Sequence, residues 1–172
     1  MNRLLTFVHF IDAINERMGK TVSYLLIPLA GVVIAEVVLR YFFNSPTIWS
    51  FELARHIFGG FIVLSGGYVL LRQAHVKIDL LYGRLSLRGR AIVDLCTAFF
   101  FFLFCGTLLW TSAGFAWTSM LLKETSESMF RIVLWPVKSA IFLGALLIVL
   151  QGIAQFIRNL HIAIAGKDWN RQ

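Results

Sequence analysis

Four stretches of this chain, residues 21–43, 50–71, 91–116 and 136–157, are predominantly apolar over more than twenty residues each. About 20 residues of α-helix cross the roughly 30 Å hydrocarbon core of a bilayer. A strand-built barrel needs alternating apolar and polar positions in runs of about ten. Here the run Ala98-Phe99-Phe100-Phe101-Phe102-Leu103-Phe104 is apolar on every side. The pattern predicts an all-α integral membrane protein with four transmembrane helices, residues 1–172 forming one membrane domain. With 58% hydrophobic and 15% charged residues, the chain lacks the polar surface of a water-soluble globule.

Basic residues gather on one side of these spans. Arg3, Arg17 and Lys20 precede the first; Arg72, Lys77, Arg84, Arg88 and Arg90 lie between the second and third; Arg158, Lys167 and Arg171 follow the fourth. The other two connections carry only Lys123 and Arg131. Because Lys and Arg are retained in the cytoplasm, both termini and the middle connection are expected there. The net charge of +7 then reflects topology, and no domain-like basic face points to nucleic acid. Asp12, Glu16 and Arg17 interrupt any signal-peptide core, so the N-terminal segment is expected to stay on the protein.

Two segments read as amphipathic helices along the lipid interface. In 3–18, Leu4, Phe7, Val8, Ile11, Ile14 and Met18 recur at helical spacing, with Arg3, Asp12, Asn15 and Glu16 on other faces. A short cytoplasmic cap on the first span fits that segment equally. In 76–88, Ile78, Leu81, Tyr82 and Leu85 fall at i, i+3, i+4 and i+7, and Gly89 is placed to separate this helix from the third span. On the opposite side, Asn44 to Ser50 predicts a tight turn with Ser50 as N-cap. The connection from Trp117 to Trp135 is longer, with both tryptophans at interfacial positions and Pro136 in the first turn of the last helix.

The first hairpin holds Glu36, Arg40, Glu52, Arg55 and His56 at or near membrane depth, where an ionised group costs several kcal/mol unless it is paired or reaches water. Glu36 and Arg40 stand at i, i+4 in the favourable order for an ion pair. One reading makes the group a proton relay or anion site. The other makes it structural, with Glu36 and Glu52 neutralising Arg40 and Arg55 within the hairpin or against another subunit, and Arg40–Glu52 a candidate interhelical pair. Two charges against two cancel without a ligand, which favours the structural reading. Gly59 and Gly66, and Gly60 and Gly67, each recur after seven residues and open a groove for helix docking; Gly144 and Gly152 are placed to do likewise.

Catalytic signatures are missing: the sequence has no paired-histidine metal spacing, phosphate-cradling loop or nucleophile elbow. His56 alone among four histidines lies within a span, which leaves a haem without an axial pair. Cys96 and Cys105, nine positions apart on one helix, are separated by roughly 13 Å and cannot bridge. No enzyme activity, cofactor or metal is expected on this chain. A rival class is a stand-alone proton-coupled exporter of cationic drugs using Glu36. Arg40, one turn away, opposes a cationic substrate.

Three stretches carry a family resemblance: Arg40-Tyr41-Phe42-Phe43-Asn44-Ser45-Pro46, Trp49-Ser50-Phe51-Glu52-Leu53-Ala54-Arg55 and His75-Val76-Lys77-Ile78-Asp79. In order and spacing they resemble the small membrane subunit, DctQ-like or Q subunit, of tripartite TRAP transporters. The family's usual acidic pair before the leucine is here Phe51 and Glu52. The resemblance implies a bacterial or archaeal cytoplasmic-membrane scaffold subunit. Its implied partners are membrane lipid, a large multi-span subunit that holds the sodium and substrate sites, and an extracytoplasmic binding protein. The implied cargo is an organic acid such as a C4-dicarboxylate or sialic acid. Subunit-interface candidates are Glu36, Arg40, Trp49, Glu52, Arg55, His75, Asp79, Gly59, Gly60, Gly66 and Gly67. Lys123, Glu124, Glu127 and Arg131 are candidates for docking the binding protein.

Overall fold

The computed structural model describes residues 2–72 and 86–165. These form five helices: α1 (Asn2–Ser23), α2 (Leu26–Phe42), α3 (Ser50–Leu71), α4 (Leu87–Leu122) and α5 (Trp135–Ala165). Four helical stretches are long and apolar enough to cross a membrane, namely Leu4–Phe42, Ser50–Leu71, Arg88–Leu122 and Trp135–Ile164. The protein is therefore an all-helical membrane protein.

Helix boundaries depart from the sequence reading where local chemistry decides them. The first span was expected to begin at residue 21, but α1 runs to Ser23 and α2 starts at Leu26. Pro28 explains the break, since a proline inside a helix lacks an N–H and its ring crowds the carbonyl four residues back, here that of Tyr24. The chain tightens instead: Tyr24 N–H bonds Thr21 O (3.2 Å) and Leu25 N–H bonds Val22 O (2.9 Å), leaving Pro28 in the first turn of α2. Gly89 does not end a helix; its N–H donates to Ser86 Oγ (3.2 Å), so Ser86 caps α4. The amphipathic segment expected over 76–88 lies outside the described residues except for its last three, which open α4. Ser50 is the first residue of α3 rather than its cap, which is Trp49. Pro136 is in the first turn of α5, as expected.

The centre of the bundle is α5. A third of its apolar window is buried, against 6% for the first and third candidate spans. α4 and α3 pack along it, α1 lies against both α3 and α5, and α2 rests chiefly on α3. In lipid, helix association rests on close packing and polar bonds, not on exclusion of water, so small residues at crossings matter. Gly144 lies on Val63, Gly152 on Phe101, Gly66 on Ile148 and Gly19 on the Tyr68 ring; a Cβ at any of them would come closer than 3.0 Å to those atoms. Gly59 and Gly60 have nothing within 4 Å of a Cβ position. The seven-residue glycine register thus divides: a Cβ at 66 or 67 would strike a neighbouring helix, and one at 59 or 60 would not, although Gly60 is itself buried.

α1 also differs in which face it covers. Its buried stripe is Val8, Ile11, Asn15, Gly19 and Val22, while Leu4, Phe7 and Phe10 stay exposed. Asn15, assigned to a polar outer face by the sequence pattern, is 1% exposed. On α4, Phe99, Phe100 and Phe104 face outward, whereas Phe102 meets Phe156 edge-on at 6.0 Å. Cys105 is buried, Cys96 is exposed, and both are free.

Candidate functional site: polar braces at the two ends of the bundle

At the end where α2 turns into α3, Glu36 organises the hairpin. Its Oε1 accepts from Arg40 Nε (3.0 Å) and Nη2 (2.5 Å). Its Oε2 accepts from the Thr47 backbone N–H (3.1 Å), the Thr47 hydroxyl and Ser50 Oγ (2.8 Å). One carboxylate thereby ties a helix end, the connecting turn and the first residue of α3. The turn itself is sealed by Asn44 in the left-handed region (φ 50°), a conformation asparagine tolerates, with Ser45 N–H reaching back to Leu39 O at 3.0 Å.

Glu52 has different partners. It is 5% exposed and accepts from the hydroxyls of Ser126 and Ser128 in the α4–α5 connection. The expected Arg40–Glu52 pair is corrected: Arg40 is engaged by Glu36 on its own helix, one turn away, and Glu52 faces the second connection. Arg55 is not neutralised by an ion pair either; it is exposed and makes no hydrogen bond or ion pair among the described residues. His56 Nδ1 lies 2.7 Å from Glu52 O. Trp49 caps α3, and its carbonyl accepts from Leu53 N–H at 2.9 Å.

The connection that Glu52 grips is itself built. Thr125 and Val133 form an antiparallel bridge, Ser126 N–H donates to Ile132 O (2.8 Å), and Leu134 N–H donates to Glu124 O (2.9 Å). Lys123 and Arg131 occupy left-handed conformations (φ 46° and 48°) at its corners. Glu124, one of the docking candidates, forms an ion pair with Lys138 on α5. The hydrogen bond and charge of the Lys138 ammonium hold the Glu124 carboxyl below the usual carboxylate range. Lys123, Glu127 and Arg131 are exposed. His75 and Asp79 lie outside the described residues.

The opposite end carries a polar network that the sequence reading missed. Asp12 on α1 pairs with Arg158 on α5 and accepts from Gln151 Nε2 at 3.0 Å. Asn15 Nδ2 donates to Gln151 Oε1 (2.8 Å) and Ile11 O (3.2 Å). Glu16 bridges Lys20 (2.9 Å) and Arg72 at the end of α3 (3.0 Å), and Arg72 lies 5.3 Å from the Tyr68 ring centre. Gln151 inside an apolar span was a visible signal; its partners on α1, more than 130 residues away, were not.

These features define a multi-span helical membrane protein whose carboxylates brace helix ends. The sequence profile of the DctQ component of tripartite ATP-independent periplasmic transporters matches residues 29–161, and the chain belongs to that family. This is a family of transporter components, not an enzyme class. The chain is also similar to the sialic acid TRAP transporter permease protein SiaT of Haemophilus influenzae (strain 86-028NP), with 38% identity over 72 residues. The matched stretch is 42% of this chain but 11% of that relative.

Proposed function

We propose that the chain is the scaffold subunit of a sodium-coupled importer of an organic acid such as sialic acid or a C4-dicarboxylate. It works beside a large multi-span subunit that holds the sodium and substrate sites and that receives cargo from an extracytoplasmic binding protein. The termini and the 72–90 connection face the cytoplasm, in keeping with the eleven basic residues on that side against two on the other. In this arrangement the 123–134 connection faces outward, and Lys123, Glu127 and Arg131 are its free charges for tuning encounter with the binding protein. Family membership supports the partners, and the SiaT similarity supports an organic acid as cargo.

The observation that carries the scaffold reading is the saturation of Glu36. A proton-exchanging exporter needs a carboxylate able to gain and lose a proton; Glu36 lines a cavity together with Arg40 and Phe51, but it accepts from Arg40, Thr47 and Ser50 at once. Such a group holds a hairpin together. The test is uptake of labelled sialic acid and succinate by proteoliposomes containing the large subunit and binding protein, with and without this chain. Uptake should require the chain and a sodium gradient. Undiminished uptake without it, or drug export by this chain alone that Glu36→Gln abolishes, would overturn the proposal.

A further inference from the structure

Near the α2–α3 turn, α3 keeps one face uncovered by the rest of the chain. Phe51, Arg55, Phe58, Gly59 and Ile62 fall at i, i+4, i+7, i+8 and i+11, a single stripe of the helix. Phe51, Arg55, Phe58 and Ile62 are exposed, and a Cβ on Gly59 would meet nothing within 4 Å. The stripe closes farther along, where Gly66 lies on Ile148 of α5. The other faces of α3 at this end are occupied. Ser50 donates to Glu36 on α2, and Glu52 accepts from Ser126 and Ser128 of the α4–α5 connection.

Charge sets this stripe apart from an ordinary lipid-facing surface. Arg55 lies in the second turn of α3, about 7.5 Å past Ser50 along the axis. Its guanidinium donates from every nitrogen, yet it makes no hydrogen bond or ion pair among the described residues. Glu52, one turn back, attracts it only through space, because both carboxylate oxygens are turned to the serine hydroxyls. Glu36 is committed to Arg40, Thr47 and Ser50. Of the two arginines in the hairpin, one is neutralised by contact and the other is not. A cation at that depth is costly unless it is paired or reaches water, so the missing group is an anion from outside the chain. A second copy of this chain has none to offer among the described residues: Glu36 and Glu52 are bonded, and Glu127 lies in the connection, outside the spans.

We propose, resting on the scaffold reading of the chain, that this stripe seats a transmembrane helix of the large subunit and that this helix carries an Asp or Glu whose carboxylate pairs with Arg55. A guanidinium meets a carboxylate through two parallel N–H···O bonds, which fixes the depth and rotation of the incoming helix as well as its charge. The competing anion is a phospholipid phosphate, because helix side chains lean toward the N-terminus, here the headgroup side. Gly59 favours the helix. One turn deeper on the same stripe, it leaves a gap that lets a second backbone approach closely, which a fluid acyl chain does not require. Phe51 and Phe58 stand on either side of Arg55 and would exclude water from the pair.

The test co-expresses the tagged full chain with the large subunit, purifies the complex in mild detergent and measures how much large subunit is retained. Arg55→Met, which keeps the length of the side chain and removes its charge, should cut retention about tenfold, and Arg55→Lys should cut it less. The melting temperature of the free chain should not fall in Arg55→Met, since no contact within the chain is lost. A second measurement keeps Arg55 in place: with Phe58 replaced by photoreactive p-benzoylphenylalanine, illumination should give an adduct whose large-subunit peptide contains an Asp or Glu. Changing that acid to Arg should restore retention to Arg55→Glu. If wild type retains no large subunit, the scaffold reading itself falls. If wild type retains it and Arg55→Met retains as much, or if position 58 forms adducts with lipid alone, the scaffold reading stands and the Arg55 pairing is overturned.

Discussion

The two ends of the bundle are braced by the same kinds of group over very different chain distances. At the hairpin end Glu36 gathers Arg40, Thr47 and Ser50, all within 14 residues. At the termini end Asp12 and Asn15 reach Arg158 and Gln151 across 136 to 146 residues. Exposure differs as well: Arg40 is 53% exposed beside a 13% exposed Glu36, whereas Asp12 and Arg158 are 18% and 19%. The first brace closes a local turn with one partner still in reach of water. The second fastens α1 to the centre of the bundle and has less solvent to fall back on.

That difference makes the termini end the more fragile. Gly67→Ala would put a Cβ 2.0 Å from Asn15 Oδ1 and 3.2 Å from Leu147 O, against a buried amide that is itself bonded to Gln151. Asp12→Ala would leave Arg158 largely buried without its anion. Each should cost about 3 kcal/mol of stability in detergent unfolding, from overpacking in the first case and an orphaned charge in the second. If both fall below the cost of Glu36→Ala, the ranking of the two ends is reversed.

Next in size is the link between the two connections at the hairpin end. Removing both hydroxyls in Ser126→Ala/Ser128→Ala strips the bonds from a carboxylate that is 5% exposed, which should cost about 2 kcal/mol. Cleavage by chymotrypsin after Phe130 should accelerate in that variant, while the α2–α3 turn stays intact. Glu36→Ala follows, at about 1–2 kcal/mol, because Thr47 N–H and Ser50 lose an acceptor while Arg40 turns to water. Unchanged chymotryptic cleavage in the serine variant would show that Glu52 does not hold the second connection.

Legibility in the sequence tracks the same contrast. The four spans, the helical class and the Glu36–Arg40 pair follow from local apolar length and i, i+4 spacing, and the structure contains them. Glu52 was assigned the wrong partner because charge counting paired it with an arginine, whereas two serines 74 and 76 residues away supply the bonds. Asn15 was assigned to an outer polar face because one helix read alone cannot show that Gly67 leaves space for its amide. The break before α2 was readable in principle from Pro28, whose position implicates the carbonyl of Tyr24.

Gly59 and the buried Gly60, neither of which has a neighbour at its Cβ position, give an effect of opposite sign. Gly59→Ala and Gly60→Ala meet nothing within 4 Å, so the isolated chain should gain roughly 0.5–1 kcal/mol from reduced backbone freedom. If these positions seat a helix of the large subunit, the same variants should weaken co-purification while raising the melting temperature of the free chain. A rise in both would remove Gly59 and Gly60 from the interface.

The smallest effect is confined to Glu124. Its carboxyl is held below the ordinary value by the Lys138 ammonium, so the tie is fully present above the ordinary carboxylate range and is lost as pH falls through the lowered value. The Leu134 amide, bonded to Glu124 O at 2.9 Å, reports on the same corner of the connection. Its NMR shift should hold steady from neutral pH down past the ordinary carboxylate range and move only below it. Lys138→Met removes the first cause of the depression, so the transition should shift upward in pH. A transition at the same pH in wild type and Lys138→Met would mean that the connection is held at this end by Glu52 alone. That outcome would narrow the comparison between the two ends to a single buried carboxylate against the Asp12–Arg158 network.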